Sequence, residues 1–286
     1  MALTWQCLID WDGDGVLESD EAGRLTGLST RRGRPRAYGR SGIEAQAVGK
    51  ATLTLDSYDG RFNPWNASGA LYGDLLPKRE CHVLVDDGVT EYSVFRGFVE
   101  ELIPSGRDKV ALTVEDGWRW LTEREALVRC FTDYPTGDGV RDVLEAAGWY
   151  EPNWRLGTAG YSELGTTLYL APEGGSKIVW GKDLSPGRTV IPYWWGNGNA
   201  ARQIHDLVQA EHGLAFIRAN GQFVYLDRDA LYEASVAHTL TQDLLLKSLE
   251  LGQPGALIWN QIAIKVLARA AAASAAVWSA DDVIYL

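Results

Sequence analysis

The chain has 286 residues, 46% of them apolar and 23% charged, with a formal net charge of −11. This length buries a sizeable core and accommodates two or three domains. The acidic balance excludes a general nucleic-acid binder, whose affinity rests on a basic footprint. Three widely spaced cysteines, Cys7, Cys81 and Cys130, read as reduced thiols and not as a disulfide framework. No stretch approaches the ~20 apolar residues of a membrane span, and the N-terminus lacks a basic start followed by an apolar run, so no membrane insertion is expected. Twelve Trp and twelve Tyr suit strands, large interfaces or sugar platforms.

Residues 3–9 alternate and predict a first strand. Asp10, Asp12, Asp14, Glu18 and Glu21 follow around Gly15, with the spacing of an EF-hand calcium loop. A hard cation needs converging oxygens, and Gly15 allows the sharp turn that brings them together. The flank is a strand and not a helix, and no second copy exists to pair with it. An acidic loop joining two strands therefore stands beside the calcium reading. Residues 31–40 then gather Arg31, Arg32, Arg34, Arg36 and Arg40 in a Gly/Pro-rich loop, either a solvated loop or a contact to an acidic neighbour subunit or to DNA in a lumen.

The most informative stretch is 48–76. Ala51, Leu53 and Leu55 alternate with Thr52 and Thr54 as a strand. Asp59-Gly60 breaks it, and Asn63-Pro64-Trp65-Asn66 cannot continue a ladder. The expectation is a strand that leaves the sheet through a Pro-containing corner, anchors Trp65 and re-enters near Cys81. Further strands are predicted over 80–86, 91–100 and 109–115, with turns at Asp86-Asp87-Gly88 and 105–108. A short helix over 117–124 is capped by Asp116, with Trp118 and Leu121 inward. Residues 1–128 thus read as a small barrel or sandwich.

Leu55, Asp59–Asn66, Leu71, Gly73 and Leu76-Pro77 resemble the first-barrel signature of baseplate or tail-tip hub proteins of long-tailed bacteriophages and related contractile injection systems. Phe95-Arg96-Gly97-Phe98 followed by 110–116 is similar to that barrel's later strands. The family's opening strand and Trp-Asp, Asp-Gly loop also match residues 3–15 without any metal.

The next unit, 129–236, reads as α+β. A helix carries Val140, Val143, Leu144 and Ala147 and is closed by Gly148. A second, over 199–212, runs from an Asn199 cap through Ile204, Leu207 and Val208 and is closed by Gly213. Residues 214–227 form a hairpin whose Asn220-Gly221 predicts a type I′ turn. Ala146–Trp149, Glu211–Gly213 and Asp227-Arg228 resemble the hub family's order after its first barrel. Residues 157–186 exceed that pattern and suggest an extra hairpin. Strand patterns return over 237–286, where the family builds a second barrel, here small or incomplete, or else a return to the first.

Catalytic signals are sparse. His205 and His212 lie seven apart on one helix, too far to share an ion, and His82 and His238 fall in strands. Gly196–Ala201 partly matches a dinucleotide fingerprint, but Pro192 interrupts the preceding strand and no βαβ units surround it. No nucleophile elbow, phosphate loop or zinc helix is present. The expectation is no enzyme and no required cofactor, with calcium as the one candidate ion.

The resemblance implies a mainly β protein with an α+β insert, forming a homotrimeric ring at the distal end of a tail tube. It would adapt a hexameric tube to a trimeric tip. Its partners would be the tail tube or distal tail protein, the tape measure protein and tip or spike proteins, with DNA only as passing cargo. Its location would be the virion tail or injection particle, after synthesis in the bacterial cytoplasm. Arg31, Arg32, Arg34, Arg36, Trp65, Trp194 and Trp195 are the candidate interface residues. Asp59, Gly60, Asn63, Pro64 and Trp65 shape the corner. A reading of another class, a calcium-stabilised carbohydrate-binding β module, rests on Asp10–Glu21 and the Trp count. It does not explain three segments in hub order.

Overall fold

The computed structural model describes residues 3–17, 19–32, 47–104, 108–150 and 178–232. In chain order, the first unit holds β1 (Thr4–Ile9), β2 (Ser19–Asp20), a 3-10 turn (Ala22–Arg24), β3 (Leu25–Arg31), β4 (Lys50–Asp56), β5 (Glu80–Asp86), β6 (Glu91–Pro104) and β7 (Lys109–Glu115). They form one antiparallel sheet in the order β2-β1-β5-β6-β7-β4-β3. Period-two alternation drives it: Ala51, Leu53 and Leu55 of β4 are fully buried, as are Cys7 and Ile9 of β1.

The sheet curls without closing into a hydrogen-bonded barrel. Its two edges, β2 and β3, belong to one segment, which pairs with β1 at its start and with β4 at its end. Between them the chain turns through residues 22–24 and leaves the ladder. Bulges at Val83/Leu84 and Val99/Glu101 add the twist that lets so few strands wrap a core. At Gly97 the backbone passes so close to Glu115 that any Cβ would overlap its carbonyl.

The second unit begins with α1 (Gly117–Glu123), β8 (Glu125–Phe131), β9 (Tyr134–Pro135) and α2 (Thr136–Ala146). It continues with β10 (Lys182–Leu184), β11 (Val190–Ile191), β12 (Trp194–Asn199), α3 (Ala200–Glu211), β13 (Leu214–Ile217), β14 (Phe223–Leu226) and α4 (Arg228–Tyr232). β13 and β14 form the expected hairpin, and β10 adds to β14 in parallel. β8 pairs with β12 and β9 with β11, both antiparallel. Val140, Val143 and Leu144 of α2 face Ile204 and Leu207 of α3 in one core with Trp149 and Phe223.

Several expectations take a different form. Trp118 and Leu121 are inward, but they join the second core, as do Ala126 and Val128, which the sequence placed with the first barrel. Asp116 caps α1 by accepting from the Trp118 N–H at 3.0 Å. Gly148, at φ +86°, follows α2 as expected. At the end of α3 it is His212, at φ +57°, that adopts the left-handed conformation; Gly213 is there because its Cβ position is taken by the Leu226 carbonyl. The 214–226 hairpin turns through three residues, with Gly221 N–H bonded to Arg218 O at 3.0 Å and Gly221 alone at positive φ. That is a type I turn with a glycine bulge, not type I′. The suggested extra hairpin lies mostly, and the 237–286 strands wholly, outside the described residues. Within the former, Ile178 bridges to Trp149 in parallel.

Candidate functional site

The corner between β4 and β5 is a run of stacked turns. The N–H groups of Gly60, Asn63, Asn66, Gly69 and Tyr72 each donate to the carbonyl three residues back, at 2.8–3.2 Å. A segment with no ladder partner thus satisfies its own backbone. Side chains reinforce it: Asn63 Oδ1 accepts from Trp65 N–H at 3.0 Å, and Gly60 takes φ +72°. Asp59 accepts from both Nη atoms of Arg24, at 3.0 and 2.7 Å. That pairing, with the Arg61 N–H, holds the Asp59 carboxyl below its ordinary range.

The corner is anchored by Phe62, not by Trp65. Phe62 is 1% exposed and its ring centroid lies 5.9 Å from that of Trp11, while Arg24 and Arg61 cover its face. Trp65 is 79% exposed. Residue type pointed to the larger ring, but the core took the one on the inward side of the turn.

The acidic loop divides. Carboxylate oxygens of Asp10, Asp12 and Asp14 lie within 4.8 Å of one another. Asp10 is buried, with its two oxygens accepting from Gly13 and Gly15 N–H at 2.7 and 3.0 Å. Glu21, in the bidentate position of the calcium template, turns away. Its Oε1 accepts from Trp11 Nε1 at 3.2 Å and from Arg61 at 2.8 Å, tying the loop to the corner. Glu18 lies outside the described residues. Three of the five expected carboxylates therefore converge, and Glu21 is committed to an arginine.

The remaining candidates are scattered. Arg31 and Arg32 are exposed at the end of β3, while Arg34 and Arg36 lie outside the described residues. Trp194 is half-buried against the second core, and Trp195, on the outer face of the β8–β12 ribbon, is 58% exposed. The partial dinucleotide fingerprint falls on β12 and the Asn199 cap of α3, whose Oδ1 accepts from Arg202 N–H at 3.1 Å. It lies in an antiparallel ribbon and cradles no phosphate-type loop.

Titratable groups serve joints. His82 contacts Ser93 across β5 and β6, and burial, with Arg96 nearby, lowers its pKa to about 4. Burial raises Asp116 to about 7, against the N–H groups of Trp118 and Gly49 that favour its ionised form. Burial also pushes the Glu211 carboxyl up, but Thr189 and Arg188 N–H and the Thr136 hydroxyl outweigh it and leave it lowered. Glu211, the last residue of α3, meets the start of α2 through the Thr136 hydroxyl at 2.8 Å. Sequence reasoning missed Arg24, Arg61 and Glu211 as locks, because their partners lie tens of residues away.

Similar solved structures include two tail proteins. A tail protein from Neisseria meningitidis MC58 aligns at TM-score 0.43 and 9% identity, over 77% of this chain and 50% of that one. A 43 kDa tail protein of prophage MuSo2 from Shewanella oneidensis aligns at TM-score 0.40 and 12% identity, over 77% and 52%. The chain thus spans about half the length of either. No protein-family model and no curated protein sequence matches it.

Proposed function

We propose that this protein is a structural subunit of a phage-type tail, acting as a ring-forming hub at the distal end of the tube. The observation that carries this reading is what the hub-like residues do. Asp59, Gly60 and Asn63 build the turn run, Gly97 permits a close strand crossing, and Asp116 caps α1 at the seam between units. Gly148 follows the end of α2, and Glu211 ties the end of α3 to the start of α2. All of them hold backbone, and none converges on a reaction centre. Such a pattern suits a part that keeps its shape under load and works through its surfaces.

In this reading the subunit trimerises and adapts a hexameric tube to a trimeric tip. Arg31, Arg32 and the exposed Trp195 are interface candidates, as aromatic and Arg side chains commonly are. The ring contacts the tube or distal tail protein, the tape measure protein and the tip, and DNA only passes through. Calcium is not required, because Asp10 is satisfied by two amides and Glu21 by Arg61.

The test is mass in solution by light scattering together with negative-stain images, alone and mixed with tail tubes. Trimeric rings, or caps on tube ends, are expected. A monomer that never joins a tube would sink the reading.

A further inference from the structure

The corner has a second face. Between it and the end of the β6–β7 hairpin lies a cleft of about 190 Å³, lined by Ser57, Gly60, Phe62, Asn63, Trp65, Pro104, Lys109 and Val110. Drug-sized ligand sites run to ~300–1,000 Å³, so this one accommodates a single ring. Phe62 and Val110 are buried, and the Trp65 indole stands exposed. The backbone at Trp65 is held by the run of turns and by the Asn63 bond to its N–H, which fixes where the indole projects from the corner.

The polar side chains of the cleft can all donate. Ser57 Oγ accepts from Phe62 N–H at 3.3 Å, which leaves its hydroxyl proton to donate. Asn63 Oδ1 is taken by Trp65 N–H, which leaves its amide NH₂. Lys109 is exposed and has no carboxylate partner among the described residues. One aromatic face, two neutral donors and a lysine with no carboxylate partner among the described residues call for a ring that is rich in acceptors and carries a negative charge.

We propose that this cleft binds one carboxylate-bearing sugar ring, such as a uronic acid unit, stacked on Trp65 with its carboxylate on Lys109. The site is separate from the acidic loop and independent of calcium. A ligand of about a dozen heavy atoms is expected to bind in the millimolar range.

Saturation-transfer NMR on the full chain tests this, with methyl glucuronide, methyl glucoside and acetate titrated to tens of millimolar. The glucuronide is expected to saturate, with the glucoside and acetate each about tenfold weaker. Trp65→Ala should weaken the glucuronide at least about tenfold. Lys109→Ala should erase the preference for glucuronide over glucoside. Both side chains are exposed, so unchanged circular dichroism and Tm will confirm the fold. No saturable binding, or binding indifferent to Trp65→Ala, overturns the proposal. So does a Trp65→Ala variant that changes the mass in solution and leaves glucuronide binding intact, which would mark the indole as a protein contact.

Discussion

At the scale of single residues, two buried carboxyl groups pull stability in opposite directions with pH. Asp116 is 3% exposed, and its folded pKa of about 7 lies above the ordinary carboxylate value. Below about pH 4 it is protonated in both states and has no effect. As pH rises towards 7 the unfolded chain ionises first, so stability falls, by an amount on the order of 4 kcal/mol. Glu211 does the reverse. Its folded pKa is lowered, so its contribution is present above the unfolded value and is lost as pH falls through the folded one. Denaturant unfolding between pH 4 and 8 should show a declining component that Asp116→Asn removes (the pH range is approximate). An unchanged pH slope in that variant would refute the assignment. Glu211→Gln leaves the N–H groups of Arg188 and Thr189 poorly matched in a buried site. It should cost about 1–3 kcal/mol at neutral pH.

At the scale of elements, local chemistry was legible wherever the deciding partner lies close in sequence. The alternation of Ala51, Leu53 and Leu55 gave β4, and the caps Asp116 and Asn199 sit two or three residues from the N–H groups they satisfy. The distant decisions were not legible. Nothing in 57–66 says that Phe62 and not Trp65 meets Trp11, and nothing near Glu21 says that Arg61 will claim it. Gly213 looked like a helix terminator, yet the Leu226 carbonyl across the hairpin explains it, and His212 takes the left-handed position instead. That conformation costs a residue with a Cβ roughly 1–2 kcal/mol. His212 is exposed, so His212→Gly should raise stability by about 0.5–1 kcal/mol once glycine's own entropy is counted. A lower Tm in that variant would mean that the imidazole makes a contact worth more than the relieved strain.

At the scale of the whole molecule, the two cores are joined through one aromatic seam. Trp180, from the second unit, stacks on Phe98 of β6 at 4.7 Å and meets Trp149 edge-on at 5.9 Å. Its Nε1 donates to Glu80 Oε1 at 3.1 Å, and Arg96 lies over its ring while pairing with the same carboxylate. Gly221, at the tip of the β13–β14 hairpin, is 2.7 Å from Trp180 at its Cβ position, so the hairpin seats directly on the indole. An indole gripped from both sides makes opening of either unit expose the other. The described units should therefore unfold together, in one transition seen alike by far-UV circular dichroism and by tryptophan fluorescence. Trp180→Ala removes the stack, the edge contact and the hydrogen bond, and should cost about 3–5 kcal/mol. It should also split the transition in two, because each unit keeps its own core. Two transitions already present in the unmutated protein would show the seam to be too weak to couple them. In a ring subunit this coupling has a further consequence. In the ring proposed above, a load applied to the second unit would pass through Trp180 into β5 and β6, so Trp180→Ala should lower the oligomer fraction more than its distance from any candidate interface residue would suggest. Comparing the oligomer fraction by light scattering, at a temperature where both proteins remain folded, checks that expectation.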